Sequence, residues 1–432
     1  MENYLISNET IKNNIKTNTS IDRFYNLIWF FLVFLSFSFP VNFQPVKIVL
    51  LFIMLTIFAF KLMNKKHIKT SSQVFRLFVI WILFALPVAI NGLISNNVGA
   101  FAFIKVELLY PVLLFLCVFQ LKGENVVRVT YKAMLLSAIF ISIYTILLLL
   151  YKTGFVSFNH FWIIDDTSDA ALHNGYTHIT NTNLSMLIFI FPCIAILTKK
   201  ECQKLKIKYL YCVFVVFLSA LAMLLSGRRI LWIVEIFSFL IFFFRLNVSF
   251  AKKIAILFIF CLIVLVTFQI FGKQFGIDLN GLWERFLNAF ADFDEYGQEN
   301  VRIIQMSKLI DGFKKHIFFG AGGGATLDGY YRSLESPWIF EASYHMILFN
   351  SGIVFFSIYI FFFAYLSFSI IKYNKAYMFV LPVFFALTLA IISNATNPYF
   401  SASFDFLFFI FIPIVFLNNI DFCKKRYNGR FL

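Results

Sequence analysis

Residues 308–324 read KLIDGFKKHIFFGAGGG, and residues 341–353 read EASYHMILFNSGI. Together they close the one long hydrophilic stretch of the chain, roughly 272–340, and return it to an apolar span. Almost everything around that stretch is apolar. The 432 residues are 60% hydrophobic and 20% aromatic, with only 14% charged, whereas soluble domains carry about a quarter charged residues. Apolar runs of about 20 residues recur, each able to cross about 30 Å of hydrocarbon, so the chain is expected to be an all-α polytopic membrane protein. The 62 phenylalanines supply lipid-facing and packing bulk in this reading.

About twelve spans are expected, at 24–40, 45–62, 76–95, 101–121, 128–151, 178–198, 208–226, 230–245, 253–271, 341–371, 376–394 and 400–418. The chain then divides into an N-terminal segment (1–23), a bundle of about nine spans (24–271), a polar loop subdomain with amphipathic helices (272–340), three further spans (341–418) and a basic tail (419–432). The N-terminal segment is polar, with Lys12 and Lys16. It lacks the apolar core and small-residue cleavage site of a signal peptide, so the first span is expected to remain as an anchor.

Charge gives the orientation. Lys61, Lys65, Lys66, Lys69 and Arg76 fill one short loop; Lys122, Arg128 and Lys132 fill the next on that side. Lys199 to Lys208, then Arg245, Lys252 and Lys253, then Lys372 and Lys375, then the tail with Lys424, Lys425, Arg426 and Arg430 continue the alternation. The loop 91–100 between them has no Lys or Arg. Positive loops stay in the cytoplasm, which puts both termini there and turns segments 152–177 and 272–340 outward. The net charge of +15 is therefore a topology signal, and no basic-aromatic interleaving suggests a nucleic-acid partner. Of six cysteines, Cys117, Cys193, Cys212 and Cys261 fall in apolar runs, and Cys202 and Cys423 in short basic loops. The polar loop holds none, so neither a disulfide framework nor a zinc site is expected there. Asp292-Phe293-Asp294 has a metal-binding spacing but reads as a solvated acidic turn; no metal and no cofactor is expected.

Some charges break the topology pattern. Ser226-Gly227-Arg228-Arg229 joins two apolar runs on the side that lacks positive charge. Charge near a membrane is costly and is usually paired or functional. Adjacent arginines suit a diphosphate, which a guanidinium grips bidentately; the alternative is a turn whose arginines reach lipid phosphates. Glu235 lies about two turns along from Arg228 and is expected either to form an ion pair inside the bundle or to take a catalytic role. Lys47 and Lys105 stand near outer span ends, where they either line an outward cavity or reach the interface. Lys105 and Glu107 are two residues apart and so are not expected to share a helix face.

Within the loop, Leu279, Leu282, Trp283, Phe286, Leu287, Phe290 and Phe293 recur at helical spacing around Arg285, as in an interfacial amphipathic helix. Val301 to Phe313 repeats the pattern with Arg302, and Lys314-Lys315-His316 suits its C-terminal end. Gly320 to Gly324, with Gly322 and Gly323 at its centre, either turns N–H groups toward an anion or serves as a hinge or helix-capping turn. It lacks the Lys-Ser/Thr of a nucleotide-binding loop. Glu341, Tyr344 and His345 are expected on one helix face at the re-entry, where a carboxylate is placed to act as general base on a sugar hydroxyl; His345 is a second candidate for that role.

These segments resemble the O-antigen polymerase and ligase superfamily, which includes the Wzy-type polymerases. The resemblance rests on Ser226 to Arg229, on Arg302 followed by KLIDGFKKHIFFGAGGG, and on EASYHMILFNSGI, with weaker echoes at Asn181-Thr182-Asn183 and Asn397-Pro398-Tyr399. It implies a GT-C-like, inverting, metal-independent glycosyltransferase of the bacterial inner membrane. The donor would be a glycan on undecaprenyl diphosphate, held by arginines at a periplasmic site, with the bilayer and a chain-length regulator as partners. Ligases of the superfamily look like His-Asn/Ser/Gln-x9-Gly at the re-entry. Here the position eleven residues before Gly352 is Glu341, which favours a repeat-unit polymerase of O-antigen or capsule. The alternatives are a ligase onto lipid A-core and, in a different class, a flippase for lipid-linked oligosaccharide. The residues implied are Arg228, Arg229, Arg302, Arg285, Lys105, Gly322 and Gly323 for the substrate, and Glu341, Tyr344 and His345 for catalysis.

Overall fold

The computed structural model describes residues 20–64, 71–152, 170–173, 176–179, 181–246, 298–372 and 380–428, with single positions at 157, 249, 251 and 258. The chain is a helical multi-pass membrane protein. Among the described residues, six helices are long and apolar enough to cross a membrane: Ser20–Ser38, Gln44–Met63, Ser72–Ile94, Ala100–Val118, Glu124–Tyr151 and Ser343–Lys372. Asn183–Ala195, Tyr209–Leu225, Val380–Asn394 and Asp405–Asn419 are shorter apolar helices. Helices lie within the expected spans, although 178–198 opens on the strand Tyr176–Ile179 and a 3-10 turn before Leu187–Ala195; 253–271, apart from position 258, lies outside the described residues, as do 376–379 and the amphipathic helix expected around Arg285. The helix Arg229–Arg245 is 17 residues long and carries Arg229, Glu235 and Arg245. A short antiparallel hairpin, Ala170–His173 with Tyr176–Ile179, precedes the Asn183 helix.

Polar groups inside the bundle explain its joints. Trp29 Nε1 donates to Thr130 Oγ1 (3.0 Å) and the Tyr25 hydroxyl to the Cys117 carbonyl (2.9 Å), linking the first helix to two others. The Asn418 amide donates to the carbonyls of Val118 (2.8 Å) and Leu121 (3.2 Å), and Asn419 also reaches Leu121 (3.1 Å). These asparagines satisfy carbonyls left over where the Ala100–Val118 helix ends. Lys47 is neither a cavity wall nor an interfacial cation. It is buried against Asp405 at 2.7 Å and also donates to the Phe39 carbonyl. Asp405 further accepts from Val41 N and Gln44 Nε2, so the buried charge pair is fully hydrogen-bonded.

The helix Ser343–Lys372 is broken at Gly352, whose φ of 65° and ψ of 179° are non-helical. The backbone groups released there are taken by the end of the polar loop. Ile353 N donates to the Ile317 carbonyl (2.8 Å) and Val354 N to Phe318 (3.2 Å), while Ala321 N donates to Phe349 (2.9 Å) and Gly322 N to Asn350 (2.9 Å). The same loop is fastened to the helix Ser72–Ile94 and the turn after it. Gly323 N donates to the Val88 carbonyl, Gly99 N to Gly324, and the Asn97 amide to Ala321. Backbones approach so closely that a Cβ at Gly322, where φ is 90°, would lie 2.6 Å from Gly92 N.

Two outcomes are expected. Gly352→Ala should cost more than about 1 kcal/mol, because it adds a side chain at positive φ against Gly320; a lowered melting midpoint in detergent and faster proteolysis between 316 and 324 would show it. Asp405→Ala should cost about 3–5 kcal/mol by stranding Lys47, and Lys47→Met with Asp405→Leu should recover most of the loss in the same melting assay.

Candidate functional site

The loop helix Gln298–Lys315 spans the second amphipathic segment and ends on Lys314 and Lys315, as expected. It packs along the re-entry helix Ser343–Lys372. Two of its side chains hold the turn that starts that helix: Gln305 Oε1 accepts from Ala342 N (2.9 Å), and Arg302 Nε donates to Glu341 Oε2 (2.6 Å). The second carboxylate oxygen, Glu341 Oε1, pairs with Arg332. One carboxylate thus lies between two guanidinium groups, in a site neither buried nor open: the side chains of Arg302, Arg332 and Glu341 are 31%, 46% and 17% exposed.

Glu341 does not share a helix face with Tyr344 and His345. The helix begins at Ser343, and Glu341 sits in the turn before it, its carbonyl accepting from Ser343 N. The three-residue spacing has helical meaning only once the chain is helical. Tyr344 is turned to the bundle, where its hydroxyl donates to the Ile391 carbonyl (2.6 Å). His345 is half-buried, beside Tyr344 at the start of the helix.

The other expected substrate residues are not all gathered here. Arg228 stands at the N-terminal end of Arg229–Arg245 and donates to Ser185 Oγ (2.8 Å). That helix packs on Leu187–Ala195 and Tyr209–Leu225, whereas the loop helix packs on Ser343–Lys372. Arg229 is the first residue of its helix and half-buried. Glu235 is buried with Oε2 lacking a hydrogen-bond partner, and among the described residues no ion pair to it is found, contrary to the expected pairing. Arg285 lies outside the described residues. The N–H groups of Gly322 and Gly323 are engaged by the carbonyls of Asn350 and Val88, so they fasten the loop instead of turning to an anion. Lys105 is exposed and lies 5.7 Å from the Tyr110 ring centre.

Sequence reasoning missed Arg332. It is an isolated cation in the stretch YYRSLESPW, and only the turn of the loop brings it to Glu341. A cleft is lined by Lys105, in keeping with one of its two expected placements, and also by Glu107, Trp338 and Asn350, which sequence reasoning did not assign to it. Residues Ile104–Leu109 form a π-helical turn, with Tyr110 N bonded to the Lys105 carbonyl, and such turns are frequent at functional sites. Their α-helical spacing had argued against a shared face.

Chemically, two guanidinium groups meeting on one carboxylate form a site for a bidentate oxyanion, with Glu341 occupying it. No protein-family model matches the chain, and no curated protein matches it.

Glu341→Gln should therefore remove the charged carboxylate that the two arginines share and strengthen inorganic diphosphate binding by about tenfold or more. Adding Arg302→Ala should abolish the gain. Thermal-shift titration with diphosphate measures both.

Proposed function

We propose that this protein is a membrane glycosyltransferase that joins oligosaccharide repeat units carried on undecaprenyl diphosphate. It is an O-antigen or capsule polymerase of about twelve spans and GT-C-like architecture, with its loop face on the periplasmic side of the bacterial inner membrane. The observation that carries this reading is the Arg302–Glu341–Arg332 cluster at the point where the polar loop returns to the apolar bundle. A lipid diphosphate keeps its tail in hydrocarbon and brings two phosphates to such a boundary, where planar guanidinium forks match them.

In this mechanism the diphosphate displaces Glu341 from an arginine. Arg302 and Arg332 then neutralise the charge that builds on the diphosphate as its bond to the anomeric carbon breaks. The displaced Glu341 accepts the proton of the acceptor hydroxyl as that oxygen bonds to the anomeric carbon. Diphosphate is a competent leaving group, so no nucleotide is consumed. Arg228, Arg229 and Arg285 are further contacts for the lipid-linked substrate, and Tyr344 and His345 support the re-entry turn. A chain-length regulator is a partner in this scheme.

Purified protein incubated with synthetic undecaprenyl-diphosphate repeat units, without nucleotide, should produce a ladder of polymer on a gel. Arg302→Ala should slow it about 30- to 1,000-fold, the usual cost of losing about 2–4 kcal/mol of transition-state contact. A folded protein that gives no ladder with its native repeat unit would overturn the reading. The glycan of a deletion strain then separates the remaining classes: carrier-linked polymer marks a lost ligase, and absence of surface glycan a lost flippase.

A further inference from the structure

A cleft of about 230 Å³ lies between the π-helical turn, the loop and the re-entry helix. The loop contributes Ser336 and Trp338, the π-helical turn Lys105 and Glu107, and the re-entry helix Asn350. Two of its polar side chains are almost wholly buried and incompletely satisfied. Glu107 is 4% exposed and its Oε2 has no hydrogen-bond partner; Asn350 is 4% exposed and its Oδ1 has none. Ser401, which also lines the cleft, hydrogen-bonds the Glu107 carboxyl. A buried carboxylate oxygen and a buried amide oxygen without partners are costly, and each orphan is a place for a ligand's hydroxyl to donate.

The remaining walls fit the same chemistry. Trp338 packs on Gly99, where any Cβ would collide with its ring, so a fixed indole forms part of the lining. Lys105 and Ser336 add donors to the acceptors of Glu107 and Asn350. A cation beside a carboxylate suits neither a bare anion nor a bare cation. Alternating donors and acceptors next to an aromatic surface suit a polyhydroxylated ring. The volume is below the about 300–1,000 Å³ of sites for drug-sized ligands, which points to one ring and not a whole repeat unit.

We propose that this cleft binds a terminal sugar ring of the acceptor glycan. Asn350 and Glu107 accept hydrogen bonds from its hydroxyls, and Trp338 packs against its apolar face. The identity of the sugar as part of an acceptor rests on the polymerase reading above; the cleft's affinity for a sugar does not. Trp338 and the Arg302–Glu341–Arg332 cluster belong to one continuous loop and re-entry segment. Arg332 precedes Ser336 and Trp338 by a few residues, and Glu341 follows them. An acceptor held in the cleft is thereby tied to the same segment as the proposed diphosphate site.

The test uses the full chain in lipid nanodiscs and a lipid-free repeat-unit oligosaccharide capped as its methyl glycoside. Saturation-transfer NMR with titration reads its affinity, and the gel ladder is measured in parallel. Trp338→Ala, Asn350→Ala and Glu107→Gln should each weaken oligosaccharide binding about tenfold or more. In the ladder assay they should raise KM for the acceptor. Ser336→Trp, which fills the cleft without removing a buried polar group, should do the same, so a loss of binding is separable from a loss of fold. Each variant's melting midpoint is compared with that of the parent. An oligosaccharide that does not bind, or that binds all four variants within twofold of the parent, overturns the proposal. A ladder that persists unchanged in those variants leaves the polymerase reading standing while removing the cleft. Cleft-dependent binding without any ladder keeps the sugar site and removes the polymerase.

Discussion

The break at Gly352 is the constraint on which the rest of the site depends. A continuous helix would have used the carbonyl of Phe349 for the N–H of Ile353. Instead the carbonyls of Phe349 and Asn350 receive N–H groups from Ala321 and Gly322, and the N–H groups of Ile353 and Val354 go to Ile317 and Phe318. Every backbone group freed by the break in this apolar setting must find a partner inside the protein. The polar loop supplies them, and it is held in place by that requirement. With its end so fastened, the loop's other residues acquire fixed positions: Arg332 at Glu341, Trp338 on Gly99, and Gly324 against the turn that begins the Ala100–Val118 helix.

Small residues on the facing elements make the fastening possible. Gly92 and Gly99 lie where Gly322 to Gly324 come to rest, and a Cβ on any of them would collide with backbone or with the ring of Phe103 or Trp338. The amides of Asn91 and Asn97 then donate to carbonyls of Gly320 and Ala321. The glycine run therefore serves as a joint that presses three backbone segments together. The charges that line the site follow the same economy. Arg302 and Arg332 share one carboxylate at the loop's return, whereas Lys47 and Asp405 are sealed in the bundle with all their partners. The first group is partly exposed. The second is not, and removing either partner leaves a buried charge.

Much of the site was legible one residue at a time. Arg302 and Glu341 were both singled out, the helix around Arg302 was apparent from its apolar spacing, and the glycine run was seen as a special segment. Which of its two readings holds was not legible, because a glycine's freedom is local while the carbonyls that take its N–H groups come from Val88 and Asn350 on other helices. Lys47 was taken for a surface or cavity cation, since its partner is 358 residues distant. Glu107 was not assigned to a site, because the residues that line the cleft with it, Trp338, Asn350 and Ser401, come from other parts of the chain.

By itself, then, the sequence determined that the chain is helical and crosses a membrane several times, and where those helices lie. Apolar run length and the need to satisfy backbone groups internally are local properties, and they leave few alternatives in hydrocarbon. Tertiary structure alone decided which charges meet. It joined Arg302 and Arg332 on one carboxylate, buried Lys47 against Asp405, and opened a cleft between Glu107 and Asn350. The arginine cluster and the cleft depend on a broken helix and a docked loop, the loop being tied to the helix Ser72–Ile94 and the turn after it by bonds such as Asn97 to Ala321, 224 residues apart; Lys47 and Asp405 meet across 358 residues, and no local pattern encodes such pairings.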